Sequence, residues 1–183
     1  MTTVESNLFD EVESGATAAR IEWRWRSFSE LTLDELYAVL RLRQRVFVVE
    51  QACAYLDLDD ADQQASHLMA WRQDEAVSSL AAYARLFAPG IKYAESSIGR
   101  VITAPEARRT GIGKALMRAA IQRVEKIAPE SAIRIGAQNY LEKFYGGFGF
   151  QRASEPYMED GILHIEMVRH VTSAIPIGVS PQG

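Results

Sequence analysis

The sequence predicts an α/β fold in one domain, and three observations carry the prediction. Apolar residues alternate with a period of two in several short runs and recur at helical spacing in others. The two kinds of run interleave in the order β, α, three strands, α, β, α, two strands, from about Ile21 to His170. The 183 residues, 48% hydrophobic and 24% charged, suffice for one domain of ordinary size with a proper core. Runs of neighbouring strands and a closing strand pair point to a central mixed, mostly antiparallel sheet flanked by helices.

Ile21, Trp23 and Trp25 alternate with Glu22, Arg24 and Arg26, the pattern of a half-buried strand ending near Phe28. Thr32 and Glu35 form a capping box, and Leu31 is placed to staple onto Leu36. Leu33, Leu36, Leu40 and Phe47 continue at helical spacing, so a helix is expected from Leu33 to about Val48, with these residues inward. A loop with Asp57, Asp59, Asp60 and Asp62 follows. Strands at His67 to Arg72 and Ser78 to Phe87 flank a turn at Asp74-Glu75, and Ser97 to Thr103 supplies the next strand. Ile112, Leu116, Ala120, Val124 and Ala128 recur every four residues in a helix that Pro129 limits. Ile133 and Ile135 mark a short strand. Asn139 is expected to cap a further helix, with Glu142 at the capping-box position, a stripe of Leu141, Phe144, Tyr145 and Phe148, and an end at Gly149. Strands near Phe150 to Tyr157 and Ile162 to Arg169, joined at Glu159-Asp160-Gly161, close the domain.

Composition argues against several classes of function. The net charge of −4 lacks the basic excess of a nucleic-acid binder. The single cysteine, Cys53, allows neither an internal disulfide nor a cysteine-based metal cluster, which suits a reducing cytoplasm. The aspartate loop lacks the glycine and distal glutamate of a calcium-binding hand, and no metal is expected. No apolar run is long enough to span a membrane. Residues 1–20 are acidic, without a secretory signal pattern, and read as a disordered extension; residues 171–183 read as a flexible tail.

The chemistry concentrates in Arg108-Arg109-Thr110-Gly111-Ile112-Gly113-Lys114, between a strand and a helix. A helix start exposes unpaired N–H groups and about half a positive charge. Glycines let the backbone approach an anion, and Arg108, Arg109 and Lys114 add formal charge, so the segment suits a phosphorylated ligand. It lacks the Gly-x-x-x-x-Gly-Lys-Ser/Thr of a nucleotide P-loop and the Gly-x-Gly-x-x-Gly of a dinucleotide site. Arg108, Gly111 and Gly113 match Arg/Gln-x-x-Gly-x-Gly/Ala, the pyrophosphate motif of the GNAT acetyltransferases.

Three further segments carry the same resemblance, in the same order along the chain. Asn139 to Phe150, with Phe144-Tyr145 before Gly149-Phe150, resembles the later GNAT helix. Arg43-Gln44-Arg45-Val46-Phe47-Val48-Val49-Glu50-Gln51-Ala52-Cys53, followed by Tyr55, Asp57, Asp59 and His67-Leu68, resembles the ElaA-like branch, as does the closing Glu159 to Ile165 segment. Ala54 and Leu163 depart from residues more usual there. The resemblance covers roughly Glu22 to Val168. It implies a sheet with two splayed strands and direct transfer of an acetyl group from acetyl-CoA to a small-molecule or peptide amine, with a homodimer as the candidate assembly. A non-catalytic acetyl-CoA-binding module is the alternative on the same fold.

By that resemblance, backbone groups of Val101, Ile102 and Thr103 face the pantetheine arm. Arg108, Arg109, Thr110, Gly111, Ile112, Gly113 and Lys114 hold the pyrophosphate, and Asn139 either touches the arm or only caps its helix. Tyr145 is the candidate general acid toward the leaving thiolate; without the resemblance it reads better as a core aromatic in the stripe of its helix. A lysine-like amine is neutral in only about one molecule in 2,500 at pH 7, a penalty of roughly 4.6 kcal/mol, so a base is needed. The strand before the loop carries no glutamate, which leaves Glu50, His67 and His164 as candidates; His67 also reads as an exposed residue at a strand start and His164 as a half-buried structural one. The four aspartates read as a solvated loop or as an attractor for a cationic amine, and Cys53 as a buried core residue.

Overall fold

Backbone pairing gathers eight strands into a single sheet in a computed structural model of the chain, which describes residues 20–73 and 78–171. The expected N-terminal extension, the Asp74-Glu75 turn and the tail from Thr172 lie outside the described residues. The strands are β1 (Arg20–Ser27), β2 (Ser66–Gln73), β3 (Ser78–Phe87), β4 (Ser96–Thr103), β5 (Ile133–Gln138), β6 (Gln151–Arg152), β7 (Tyr157–Glu159) and β8 (Ile162–Arg169). Their order is β1-β2-β3-β4-β5-β8-β6, with β7 also on β8. Every described pairing is antiparallel except β4 with β5. Those two share only Ser96↔Ile133 and Ser97↔Arg134 and then part, which opens the expected splay.

Helices α1 (Leu33–Arg43) and α2 (Ile112–Ile127) cover opposite faces. Directly paired residues share a face. Arg26, His67 and Arg85 are in line on one face, where Arg43 of α1 shares Asp62 with Arg85. Trp25, Leu68 and Ala84 are in line on the other, where Arg123 of α2 stands 5.4 Å from the Trp25 ring centre. The α2 stripe of Ile112, Leu116, Ala120 and Val124 is buried as expected, joined by Met117 and Ile121.

Four local expectations need correction. The Thr32–Glu35 capping box forms, but the inward face of α1 carries Val39, Leu42 and Arg43, while Leu33 is 85% exposed. The leucine spacing misled because a charged residue, matched by buried aspartates, occupies the inner face. The helix then widens into a π-helix at Gln44–Glu50, closed by Gln51 N–H donating to the Val46 carbonyl at 3.1 Å. Asn139 does not cap the third helix: it opens a 3-10 turn, Asn139–Leu141, and α3 follows at Glu142–Gly146. The Glu142 carboxylate is bridged by Arg152 at 2.6 and 3.0 Å, a charged partner that outcompetes a backbone amide. Finally, the expected Phe150 to Tyr157 strand is split into β6 and β7 around Ser154-Glu155-Pro156.

Candidate active site

The splay between β4 and β5 opens a cleft of about 550 Å³. Its floor is β4, where the β3 register slips: Tyr83 faces Ile102 and Arg85 faces Gly99, so β4 holds one extra residue. Arg100 takes up the bulge with a φ of +50°, in the left-handed region. A bulge leaves backbone groups outside the ladder, and Val101, Ile102 and Thr103 line the cleft beside it.

The loop beyond β4 is built much as the sequence indicates. A 3-10 turn, Pro105–Ala107, intervenes between the strand and Arg108. Arg109 (φ +64°) and Gly111 (φ +89°) then reverse the chain into α2, and the Thr110 hydroxyl donates to the Ala107 carbonyl at 2.7 Å. The left-handed Gly111 is the residue a side chain would strain. Among the described residues, the amides of Gly111, Ile112 and Gly113 meet no protein acceptor, whereas Lys114 N–H already bonds the Gly111 carbonyl at 3.0 Å. Arg108, Arg109, Thr110, Gly111 and Lys114 are exposed. Unpaired amides beside exposed cations, at the start of a 16-residue helix, have the chemistry to hold an anion. Gly113 lets α2 approach β4: a Cβ there would stand 3.4 Å from Thr103 Cγ2.

Arg108 has a protein partner in this structure. Its guanidinium makes a bidentate pair with Glu50, at 2.6 and 2.8 Å, from the π-helix. The Arg108 hydrogen bonds hold the Glu50 carboxyl below its ordinary range. One residue on, Gln51 Oε1 accepts from Gln138 Nε2 at 3.1 Å, and Tyr140 OH donates to Gln138 Oε1 at 2.6 Å. The end of the π-helix therefore reaches across the cleft to both β5 and the loop.

Of the four catalytic candidates drawn from the sequence, Tyr145, Glu50 and His164 line the cleft and His67 does not. Tyr145 lines the cleft, is 7% exposed and stacks edge-on to Phe144 and Phe150. Its hydroxyl has no protein partner among the described residues, and burial raises its pKa far above the ordinary tyrosine value. His164 also lines the cleft. Its Nδ1 sits 2.9 Å from the Ile162 carbonyl, which can only accept, so in the neutral ring Nδ1 carries the proton and Nε2 keeps its lone pair. His67 is not exposed, as its place in the sequence suggested, and is absent from the cleft lining. It is 1% exposed, with Nδ1 at 2.8 Å from Tyr83 OH and Nε2 at 3.1 Å from the Asp62 carbonyl, and burial lowers its pKa. Asn139 also lies outside the lining; its Oδ1 accepts from Arg152 at 3.4 Å.

Three of the four aspartates, Asp57, Asp59 and Asp62, form a largely buried ionic network instead of a solvated loop, while Asp60 is exposed. Arg43, wholly buried, bonds Asp57 at 2.8 Å and Asp62 at 2.7 Å. Arg85 bonds Asp62 at 2.8 Å and Asp59 at 2.6 Å. Arg100 reaches Asp57 at 2.7 Å and Asp59 at 3.2 Å. Burial alone would raise the Asp59 and Asp62 carboxyls, but hydrogen bonds and charge from the arginines overcome it and hold both below the ordinary range. Cys53 is buried, as expected, with Sγ 3.4 Å from the Asp160 carbonyl.

Sequence reasoning missed the far end of the cleft, where Arg85, Phe87, Lys92, Tyr93, Ser97 and Tyr157 form the lining. One signal was present: Gly99 inside a strand, next to Arg100, is a bulge signature. Gly136 is the matching signal on β5, since a Cβ there would stand 3.6 Å from the Tyr157 hydroxyl.

A family model described as "Acetyltransferase (GNAT) domain" matches residues 38–171. The chain belongs to the GNAT acetyltransferase family. ElaA of Escherichia coli is 40% identical over 156 residues, covering 84% of this chain and 99% of ElaA. A UPF0039 protein of Synechocystis is 41% identical over 151 residues, covering 82% and 96%. Among solved structures, an acyl-CoA N-acyltransferase from Pseudomonas aeruginosa has a TM-score of 0.77 at 41% identity, covering 82% of this chain and 99% of that one. The crystal structure of E. coli ElaA has a TM-score of 0.76 at 38% identity, covering 82% and 100%. The splayed sheet is thus that of a GNAT domain, and the chain falls in the ElaA-like branch of that family. No helix among the described residues is long and apolar enough to cross a membrane.

Proposed function

We propose that the protein is an N-acetyltransferase that moves an acetyl group from acetyl-CoA to a primary amine of a small molecule or peptide by direct attack. The observation that carries this reading is the alignment of two features. The unpaired amides at the start of α2 lie next to Thr103 of β4, and β4 is the strand along which the cleft opens. A pyrophosphate held at Arg108 to Lys114 would send its acyl arm along Val101, Ile102 and Thr103 into the splay. CoA brings the activated acyl group; the protein binds, orients and moves protons.

In this reading the amine nitrogen bonds to the thioester carbonyl carbon, the C–S bond breaks and the thiolate leaves. His164 is the base the geometry favours, because its Nε2 keeps a free lone pair while Nδ1 is anchored. Glu50 is tied to Arg108, and His67 has both nitrogens engaged away from the cleft. Tyr145 supports the leaving thiolate as a hydrogen-bond donor; its raised pKa keeps the phenol protonated but makes full proton transfer more uphill.

The test is release of free thiol from acetyl-CoA with a panel of polyamines, amino acids, aminoglycosides and peptides, together with acetyl-CoA titration. At least one amine should give turnover, with its N-acetyl product identified by mass. Acetyl-CoA binding without turnover on any amine would favour the non-catalytic CoA-binding reading, and no binding at all would remove both.

A further inference from the structure

The far end of the cleft holds two buried donors without a protein acceptor among the described residues, and beside them Lys92, an exposed cation. Arg85 Nε and Ser97 Oγ are buried and unpartnered, on residues only 1% and 2% exposed. Lys92 makes no ion pair; its Nζ lies 5.6 Å from the Tyr93 ring centre, and both residues line the cleft. The strand register brings the first two together. Ser97 lies directly opposite Phe87, and the Arg85 guanidinium stands 5.0 Å from the centre of that same ring. A buried donor without an acceptor costs free energy, and such groups are normally satisfied.

The cations beside these donors differ in how they are partnered. Arg43, Arg85 and Arg100 are matched one for one by Asp57, Asp59 and Asp62. Lys92, which is exposed, is in no ion pair among the described residues. Acidic groups on the opposite wall do not cancel it at short range. Glu166 is bridged to Arg134 at 2.6 Å, Glu159 is 56% exposed with an oxygen 4.0 Å from His164, and Asp160 sits on an exposed turn. What these donors lack is an anionic acceptor, and a carboxylate offers two oxygens with several lone-pair directions.

We propose that Arg85, Ser97 and Lys92 form an anion subsite for a carboxylate on the acceptor, so that the acceptor is an amino carboxylate rather than a polyamine or an aminoglycoside. This rests on the N-acetyltransferase reading above. Tyr93, Tyr157 and Phe87 give the subsite an aromatic surround for the body of the amino acid. Arg85 is already fixed by Asp59 and Asp62, and because its Nε and Ser97 Oγ have almost no accessible surface, a carboxylate reaches them only by parting the side chains that cover them.

The experiment uses the products, so it needs no turnover. The full-length protein, saturated with CoA, is titrated calorimetrically with N-acetylphenylalanine, N-acetylleucine and N-acetylglutamine, each beside its C-terminal amide. At least one acid should bind about tenfold more tightly than its amide. Lys92→Gln and Ser97→Ala should each shrink that preference severalfold while leaving the melting temperature unchanged; neither replaces a residue of the buried ion network. Equal binding of acids and amides, absence of binding by every acid at millimolar concentration, or a preference untouched in both variants would overturn the assignment. An acid preference in a protein that turns over no amine would remove the proposed reaction and retain the subsite.

Discussion

Two sets of ion pairs border the cleft, and they are built in opposite ways. The Arg43, Arg85 and Arg100 network with Asp57, Asp59 and Asp62 is largely buried, each arginine bridging two aspartates. The Arg108–Glu50 pair across the mouth is a single bidentate contact between side chains 37% and 41% exposed. A buried pair is costly to break because each partner left behind is an uncompensated charge. An exposed pair can be exchanged for water or a ligand at little cost. The same interaction therefore acts as scaffold under one wall and as an exchangeable contact at the other.

The largest expected effect is on the buried side. Arg43→Met should destabilise the fold by about 3–5 kcal/mol, read from urea unfolding, because it removes one of the two arginine partners from each of the buried Asp57 and Asp62. A loss below about 1 kcal/mol would show that the network is not a scaffold. Acid should act on the same groups. The Asp59 and Asp62 carboxyls are depressed in the folded state, so their stabilisation is complete above the unfolded value of about 3.9 and fades as pH falls below it toward the folded values. Unfolding curves from pH 7 to pH 3 should show this decline beginning only near pH 4, and Asp59→Asn should flatten it.

Tyr145 combines the two situations, being buried like the network and lining the cleft like the bridge. Tyr145→Phe removes a hydroxyl with no protein partner, so stability should hardly change. Turnover should fall about 10–100-fold through loss of a hydrogen bond to a charged leaving group, with acetyl-CoA affinity retained. Unchanged turnover would reduce Tyr145 to a packing residue. Smaller effects belong to the exposed pair. Arg108→Ala should weaken acetyl-CoA about tenfold in a calorimetric titration and move stability by less than about 0.5 kcal/mol. Glu50→Gln should do least: stability within about 0.5 kcal/mol and acetyl-CoA bound about two- to threefold more tightly, because Arg108 no longer has a competing carboxylate. Weaker binding in that variant would mean that the bridge organises the site instead of competing for it.

These regions also mark the limit of what the sequence disclosed. The Thr32–Glu35 capping box, the α2 stripe and the Arg108 to Gly113 loop were legible because each depends on neighbours within one or two helical turns. The loop's alliance with Glu50, 58 residues away in sequence, was not. Nor was the ionic network, whose arginines come from α1, β3 and β4 while its aspartates share one loop. Read alone, those aspartates look solvated, and Arg43 breaks the apolar stripe that was used to phase α1. The π-helix escaped for another reason: its residues follow an ordinary helical sequence, and its wider turn was not signalled by their spacing. His67 shows the same limit, since only the fold reveals that Tyr83 and the Asp62 carbonyl enclose it.

Cys53 gives the molecule a built-in reporter. It is the chain's single cysteine, 6% exposed, and part of the cleft lining. A thiol reagent can therefore react only once per chain, at a rate set by how often the wall formed with the Asp160 turn parts. That rate measures opening of the cleft without any introduced label, and a bound acyl donor should slow it. The same thiol adds one equivalent per chain to any assay that counts released CoA, and Cys53→Ser supplies the blank.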